Sequence, residues 1–513
     1  REAGILLHPT SLPGRYGMGE IGPEARKFVA TLGEMGVHLW QILPHGVTGY
    51  GDSPYQSFST FAGNPLWISF DVLVEDGLLS PSRLNAFPKL PDNTVDYGPV
   101  IRAREAVLRT VCRTFEQRAS ADAKKAYDEF CGKNADWLED FALFMALKGA
   151  HKLRPWHTWE PELVRRDPAA LARARQKHHV AIRNAKILQY LFFDQWHRLR
   201  EYAHRSGVKI IGDIPIFVAH DSADAWAHPE LFSLDENGHC TVVAGVPPDY
   251  FSATGQLWGN PIYRWEVHKQ QGYTWWAKRL RNIFETVDIV RIDHFRGFEA
   301  YWEIPGDAET AVNGTWVKGP AADLFESLKH QLGDMAIIAE DLGVITPPVE
   351  QLRDRFHLPG MRVLQFAFGD DTKASEYRPA SYPPHCVVYT GTHDNDTTVG
   401  WFRSKPGKNS TRTRADVEKE RRSILNYLKS DGREIHWDLI ALALRSRANT
   451  AVIPLQDVMG LGTAARMNVP GTTSGNWRWR FTWDMLTPAM KKRLRQLTES
   501  TGRCREGTER SDL

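Results

Sequence analysis

The chain has 513 residues, and 42% of them are hydrophobic, which is enough for a large buried core. Lysine and arginine total 64 against 62 aspartates and glutamates, so the formal net charge is only +2. This balance gives no electrostatic footprint for nucleic acid, and no apolar run of the sequence is long enough to span a bilayer. We therefore expect neither a nucleic-acid-binding protein nor a membrane protein.

The five cysteines are widely scattered, and no two of them form a CxxC pair. This spacing argues against a zinc site and is typical of reduced thiols, so it predicts a cytoplasmic location. The plastid stroma stays open as an alternative, because the sequence starts without Met and a transit peptide could have been removed.

Eight short β-prone runs follow one another along the chain, and most of them end in polar residues. In chain order they are 4–7, 39–43, 209–211, 289–292, 336–339, 363–368, 387–389 and 452–455. Helical patterns separate most of these runs, most clearly at 181–205, 273–285 and 321–332, and Gly207 is a plausible stop for the first. The alternation predicts an α/β fold, a (β/α)8 TIM barrel. A doubly wound sheet is the alternative, but no Gly-rich phosphate loop follows any strand.

Residues 66–178 do not follow the alternation. They contain two long helical runs, 101–130 and 134–150, which are separated by loops that contain proline. We predict that residues 1–65 and 179–513 form the catalytic barrel with loop insertions. Residues 66–178 are then an inserted, mainly helical subdomain that helps to wall the cleft.

Acidic side chains follow four of the predicted strands. Asp293 and Glu340 come directly after two of them, Asp213 comes two residues after a third, and Asp394 comes shortly after a fourth, beside His393. The carboxyl ends of the strands carry the active site of a (β/α)8 barrel. Any one of these residues could instead be a helix cap or a loop anchor, but four of them predict a shared site.

The chemistry of these residues is typical of glycoside cleavage. Arg291 and Asp293 lie on the same face of a strand, so the guanidinium would keep the aspartate ionised as a nucleophile. Glu340 follows an apolar run, where burial would raise its pKa and leave it protonated as an acid. A pair of carboxylates in different protonation states is what breaking a glycosidic bond requires.

Three further residues complete this hypothesis. Asp394 could hold sugar hydroxyls and favour a distorted ring, and His294 and His393 could donate to hydroxyls. Structural alternatives stay open: the Arg291–Asp293 pair could be a simple ion pair, Glu340 with Asp341 a solvated corner, and Asp213 a turn residue.

Motifs along nearly the whole chain carry a resemblance to a known family. They include GILLHPTSLP at 4–13, GYGDSPYQ at 49–56, DIPIFV at 213–218, VPPDYFS at 246–252, GQLWGNP at 255–261 and GNW at 475–477. Together with the segments around the four acidic residues, they resemble the 4-α-glucanotransferases called amylomaltase or disproportionating enzyme, relatives of the α-amylases.

The resemblance implies a retaining, two-step mechanism. Asp293 would be the nucleophile, Glu340 the acid/base and Asp394 the transition-state stabiliser. It also implies sugar contacts: Asp213, Arg291, His294 and His393 in the donor subsite, Ser53, Tyr55 and Gln56 near it, Tyr250 and Phe251 on a loop over the acceptor, and Tyr50 at a second glucan contact.

Aromatic residues near the acceptor could favour transfer over hydrolysis. Tyr250, Phe251 and Trp258 could hold a sugar acceptor in place of water, and positioning can reach effective molarities of roughly 10⁵ M or more. They could also only pack the loop. The pattern alone leaves a glucanotransferase and an α-glucan hydrolase open, and the resemblance favours the first. The intact set of carboxylates argues against a non-catalytic glucan-binding protein.

The expected partners follow from this reading. They are maltooligosaccharides, amylose or starch-type glucans, and glucose as an acceptor. We expect no cofactor and no metal, because no Asp/Asn cluster has calcium-loop spacing. We expect a monomer or a weak homodimer.

Overall fold

A computed structural model describes residues 1–248, 252–369, 374–405 and 413–504. These residues contain twelve strands. They are β1 (Glu2–Leu6), β2 (Leu39–Gln41), β3 (Lys209–Pro215), β4 (Val242–Val246), β5 (Gln256–Pro261), β6 (Ile289–Asp293), β7 (Ala300–Pro305), β8 (Thr315–Lys318), β9 (Ile337–Ala339), β10 (Gly360–Val363), β11 (Cys386–Tyr389) and β12 (Thr450–Pro454).

Eight of these strands form one parallel sheet in the order β10-β11-β12-β1-β2-β3-β6-β9. The two end strands approach each other, and the backbone N–H of Ala339 donates to the carbonyl of Pro359 at 2.9 Å. The sheet is therefore an almost closed barrel, and the predicted (β/α)8 fold is confirmed.

Helices connect the barrel strands and cover them. The longer ones are Pro23–Glu34, Tyr97–Arg118, Ala121–Lys133, Ala135–Ala150, Pro168–Lys177, His179–Arg205, Thr274–Thr286, Ala321–Leu332, Pro347–Arg355, Arg414–Leu428, Ile435–Arg445 and Pro488–Ser500. The helices predicted at 181–205, 273–285 and 321–332 are confirmed. Gly207 has a φ of +72° and follows the end of the first one, as expected for a residue that terminates a helix. None of the helices in the described ranges is both long and apolar enough to cross a bilayer.

Two of the predicted elements differ from the structure. The sixth strand, expected at 363–368, is β10 at Gly360–Val363, and Leu364–Phe366 form a 3₁₀ turn instead. Both segments are largely buried, and a short apolar run does not distinguish a strand from a helical turn. The run 101–130 is two helices, because Ser120 caps the second by accepting a hydrogen bond from the N–H of Ala123.

The other four strands form an antiparallel sheet in the order β5-β4-β7-β8 beside the barrel, and the sequence pattern did not predict it. Residues 66–178 contain the predicted helices. Their buried side chains, such as Trp67 and Phe144, belong to the same hydrophobic cluster as Trp196 and the barrel interior. Their status as a separate subdomain stays a prediction.

Candidate active site

Four of the predicted residues meet at the carboxyl ends of β3, β6 and β9. Asp213 on β3 lies directly opposite Arg291 on β6, and Ile292 on β6 lies opposite Ala339, the residue before Glu340. The register of neighbouring parallel strands thus brings Asp213, Arg291, Asp293 and Glu340 together. We call these four residues the strand-end cluster.

Arg291 is the centre of this cluster. Its Nη1 donates to both carboxylate oxygens of Asp213, at 2.9 and 2.7 Å, and its Nη2 donates to Oδ1 of Asp293 at 2.9 Å. Asp213 is fully buried, whereas the side chain of Asp293 keeps 30% of its surface exposed. The guanidinium therefore orients Asp293 while leaving that carboxylate accessible.

Burial and charge set the protonation of the cluster. Burial raises the pKa of Asp213 to about 6, although Arg291 opposes the shift. Burial by itself would lower the pKa of Arg291, but Asp213 and Asp293 raise it well above its ordinary value. The guanidinium thus stays charged, and it compensates the two acidic side chains that it contacts.

The surroundings of Glu340 set its protonation. Burial, and then the negative charge of Asp293, raise the pKa of Glu340 to about 8. Its Oε2 accepts a hydrogen bond from the backbone N–H of His294 at 2.7 Å, and its Oε1 accepts one from the N–H of Leu342 at 2.9 Å. These contacts fix the orientation of a carboxyl group that is protonated at neutral pH.

His294 owes its position to an unusual backbone conformation. Its φ of +56° lies in the left-handed region, and this turn directs its N–H towards Glu340. Burial lowers the pKa of its imidazole to about 3, so the ring is neutral. Its Nε2 is buried and has no hydrogen-bond partner in the described part of the chain, and its ring centroid lies 4.8 Å from that of Trp258. A neutral imidazole with an unused nitrogen can bind a hydroxyl group.

A second group of residues lies around Asp394, beyond the end of β11. Oδ1 of Asp394 accepts a hydrogen bond from Nδ2 of Asn468 at 2.7 Å and lies 3.4 Å from Nε2 of His393. The carbonyl of Asp394 accepts a hydrogen bond from Nη2 of Arg466 at 2.6 Å. We call His393, Asp394, Arg466 and Asn468 the rim. The side chain of Asp394 is 46% exposed and so remains open to a ligand.

Tyr55 joins the rim to the strand-end cluster. Its hydroxyl donates to Oδ2 of Asp213 at 2.8 Å and lies 3.5 Å from Nδ1 of His393, with the two rings stacked at 5.1 Å. Burial, and then Asp213, raise the pKa of Tyr55 well above its ordinary value, so the hydroxyl keeps its proton. Oγ of Ser53 accepts a hydrogen bond from the N–H of Tyr55 at 3.2 Å.

Cavities adjoin both members of the Tyr55–His393 pair. One is lined by His393 together with Asp396 and Arg466 of the neighbouring loops. Another is lined by Tyr55 and Asp213. The pair therefore separates two concave parts of the same site.

The other predicted sugar contacts differ in how closely they join this site. Trp258 contacts His294, as described, and Gln56 directly follows Tyr55 in the chain. Tyr50 is 75% exposed, which suits a surface contact with a glucan. Tyr250 and Phe251 lie outside the described residues. The binding roles of all these residues stay predictions.

Two buried aspartates that support the site were not predicted. Asp341 is not part of a solvated corner: it is buried, it accepts from Nη1 of Arg353 at 2.5 Å, and its Oδ1 accepts from the N–H of Met361 at 2.6 Å. It thereby links the end of β9 to β10, where the barrel has few ladder hydrogen bonds.

Asp457, after β12, is the second of these aspartates, and it is buried as well. Its carboxylate accepts hydrogen bonds from Oγ1 of Thr390 at 2.6 Å and from the N–H of Thr398 at 2.7 Å. These two threonines flank the loop that carries His393 and Asp394. The only sequence signal for Asp457 is its place two residues after the last predicted strand.

Arg466 and Asn468 were also missed. They lie in an irregular segment between β12 and the GNW motif, where no periodic pattern marks them. Their contacts with Asp394 join parts of the chain that are more than 70 residues apart, and sequence spacing does not reveal such contacts.

The cluster can therefore present one carboxylate, held by an arginine, beside one protonated carboxyl group. In the described ranges, no group of three or more His, Cys, Asp or Glu side chains is arranged to hold a metal ion. A (β/α)8 barrel with two such carboxyl groups at its strand ends has the architecture of an enzyme that cleaves or transfers glycosidic bonds.

Comparisons with known proteins identify the group within that class. A family model described as 4-alpha-glucanotransferase matches residues 7–487. The 4-alpha-glucanotransferase of Thermus thermophilus is 50% identical over 511 residues, which cover 98% of this chain and 99% of that relative. That of Synechocystis is 47% identical over 507 residues, or 98% of each chain. The amylomaltase from Streptococcus agalactiae in complex with acarbose has a TM-score of 0.93 at 38% identity, covering 98% of this chain and 100% of that one. The chain belongs to the 4-α-glucanotransferase family.

Proposed function

We propose that the enzyme moves an α-1,4-glucan segment from a donor to the 4-hydroxyl of an acceptor glucan or glucose, through a covalent glycosyl-Asp293 intermediate. The observation that carries this proposal is the pairing of two different carboxyl groups. Asp293 is held by Arg291, while burial raises the pKa of Glu340 to about 8. Two displacements at the same anomeric carbon give net retention of configuration.

In the first displacement, a carboxylate oxygen of Asp293 attacks the anomeric carbon of the donor. A bond forms between this oxygen and the carbon, and the bond from the carbon to the glycosidic oxygen breaks. Glu340 gives its proton to the departing oxygen, so the released glucan leaves as an alcohol. Glu340 is then an anion.

In the second displacement, the 4-hydroxyl of the acceptor attacks the same carbon. Glu340 takes the proton from this hydroxyl, the new glycosidic bond forms, and the bond to Asp293 breaks. Water in place of the acceptor would give hydrolysis. An acceptor that is bound and positioned has a large advantage over water.

The other site residues bind and orient the sugar in this proposal. Asp394 stabilises the oxocarbenium-like transition state, and Asn468 holds its carboxylate in position. Tyr55, His294 and His393 contact hydroxyl groups of the donor sugar. Asp213 supports these contacts indirectly, because it holds both Tyr55 and Arg291.

The proposed substrates are maltooligosaccharides, amylose and starch-type glucans, with glucose as an additional acceptor. A cytoplasmic location suits the scattered cysteines, with the plastid stroma as the alternative. A monomer or weak homodimer remains our prediction for the assembly, and size-exclusion chromatography with light scattering measures it.

Incubation with maltotriose tests the function. Transfer yields glucose and a ladder of longer maltooligosaccharides, with almost no increase in reducing ends. Hydrolysis raises the number of reducing ends steadily and gives no ladder. The proposal predicts the first pattern, and a product mixture limited to glucose and maltose would contradict it.

A further inference from the structure

The antiparallel sheet has one face turned away from the barrel. Across its four strands, the register places Leu257 opposite Gly245, Gly245 opposite Trp302, and Trp302 opposite Trp316. Directly opposed residues share a face, so these positions form one row. The other face packs on the main core through residues such as Ala244 and Tyr301.

The two ends of this row, Leu257 and Trp316, belong to an exposed apolar surface, whereas Gly245 is buried and Trp302 is half-buried. Of the nine large hydrophobic residues that are exposed in the described ranges, four lie on this sheet or on loops beside it. They are Leu257 (39% exposed), Val312 (48%), Trp316 (42%) and Val344 (58%). Trp302 lies beneath them, with its ring centroid 5.3 Å from that of Trp316, and its Nε1 donates to the carbonyl of Ala311 at 2.8 Å. A grouped apolar surface of this kind marks a binding site more often than single exposed residues do.

The surface is tied to the candidate active site by Arg296. Its guanidinium carbon lies 3.9 Å from the ring centroid of Trp316, and its Nη1 donates to the carbonyl of Val344. Arg296 comes three residues after Asp293, and Val344 comes four residues after Glu340. The exposed surface therefore begins where the segments that carry both carboxyl groups end.

Strand β5 makes a second connection to the site. Leu257 is exposed, and the next residue, Trp258, contacts the ring of His294 beside the strand-end cluster. Successive residues of a strand point to opposite sides, and β5 is an edge strand of its sheet. A ligand that extends from the cluster past Trp258 would therefore cross this edge to reach the surface.

We propose that Leu257, Val312, Trp316 and Val344 form a platform for an α-1,4-glucan chain that extends beyond the site of cleavage. The C–H faces of glucose units stack on indole rings and pack on aliphatic side chains. A polymer of uncharged sugars thus matches an aromatic and aliphatic surface without charged groups among its four residues. The platform deepens the proposed function and depends on it, because it requires the glucan to be cleaved at the strand-end cluster.

The test compares a short and a long substrate in the Trp316→Ala variant of the full chain. The proposal places the platform beyond the reach of a trisaccharide bound at the cluster, so the kcat/KM for maltotriose should stay within about twofold of the parent value. Amylose should lose the contact, and its KM should rise about fivefold to tenfold, as expected for the loss of about 1–1.4 kcal/mol of binding. Trp316→Phe should recover most of the loss.

A matched control is Tyr427→Ala. Tyr427 is 41% exposed on the helix Arg414–Leu428, and its ring lies 5.5 Å from that of Phe368. This control should change neither substrate. An unchanged KM for amylose in Trp316→Ala would overturn the platform, and so would equal losses on maltotriose and amylose.

Retention in an amylose-containing native gel separates this inference from the proposed mechanism. Trp316→Ala should migrate faster than the parent, and Tyr427→Ala should not. If Glu340→Gln kept full transferase activity, the proposed mechanism would fail, whereas the retention of Trp316→Ala would still report on the platform. Equal retention of Trp316→Ala and the parent would refute the platform alone.

Discussion

The strand-end cluster and the rim meet at Tyr55, but they are held in different ways. Three neighbouring strands supply the cluster, and Arg291, fully buried, contacts two of its acidic side chains. The rim lies on loops, and its Asp394 is held by Asn468 and Arg466 from a distant segment. Strand register thus fixes the groups that we assign to bond breaking, whereas side-chain hydrogen bonds between loops fix the group that we assign to stabilising the transition state.

This difference predicts unequal effects of substitution. A change in the cluster removes a reacting group or leaves a buried charge without its partner. A change in the rim loosens a carboxylate that is already half-exposed.

Asp293→Asn should lower kcat by about 10⁴-fold, because the amide is a poor nucleophile and no other carboxylate occupies its place. The measurement is initial rates of glucose release from maltotriose, together with a thermal unfolding curve. Asp334→Asn, which changes a carboxylate that is 94% exposed, is the matched control and should retain full activity. A folded Asp293→Asn enzyme with activity close to the parent would contradict the assigned role.

The pH dependence of kcat/KM tests the role of Glu340. Because burial and Asp293 raise the pKa of Glu340 to about 8, the free enzyme loses the proton it must donate above that pH. We expect kcat/KM to fall about tenfold per pH unit above pH 8. A profile flat to pH 10 would show that Glu340 is not the acid.

The same shift affects stability. The folded state holds the proton of Glu340 more tightly than the unfolded state does, so the stability contributed by the protonated group is complete below about pH 4.5. It is lost as the pH rises from there to about 8. Glu340→Gln cannot titrate at this position, and its unfolding free energy should fall less than that of the parent over this range. Denaturant titrations at pH 5, 7 and 9 measure the difference.

Asn468→Ala tests how the rim holds the carboxylate of Asp394. It removes one neutral hydrogen bond to Asp394, so kcat should fall about tenfold while the KM for maltotriose changes less than threefold. Asn237→Ala, at an exposed position, is the control. A rise in KM with an unchanged kcat would instead make Asn468 a residue that binds substrate without positioning Asp394.

The strand-end cluster could be predicted from the sequence because the register of neighbouring strands fixes it. Strand ends can be recognised from apolar runs, and strands that are parallel neighbours bring their ends together, so Asp213, Asp293 and Glu340 could be placed at one edge. The contacts of the rim depend on how two irregular loops fold against each other. No periodic sequence pattern around Asn468 reveals its contact with Asp394.

The errors in the predicted fold have a similar cause. The run 363–368 is apolar except for Gln365, and only tertiary packing decides that the chain turns after Val363. The antiparallel sheet went unnoticed because its strands are short, and they interrupt the βα alternation without a strong pattern of their own. A solvated corner at Glu340 and Asp341 stayed open as an alternative because Arg353 and Met361, which satisfy the carboxylate of Asp341, lie 12 and 20 residues further along the chain.

Trapping the covalent intermediate tests whether Asp293 is the nucleophile. The fluoride ion of a maltosyl fluoride leaves without being protonated by an acid. The Glu340→Gln variant should therefore form the glycosyl-enzyme quickly from this donor. Without a base at position 340, the variant should break this intermediate down slowly. Peptide mass spectrometry of the quenched reaction should find one maltosyl group, attached to Asp293. A maltosyl group on another residue, or rapid turnover with no adduct, would contradict the assignment of Asp293 as the nucleophile.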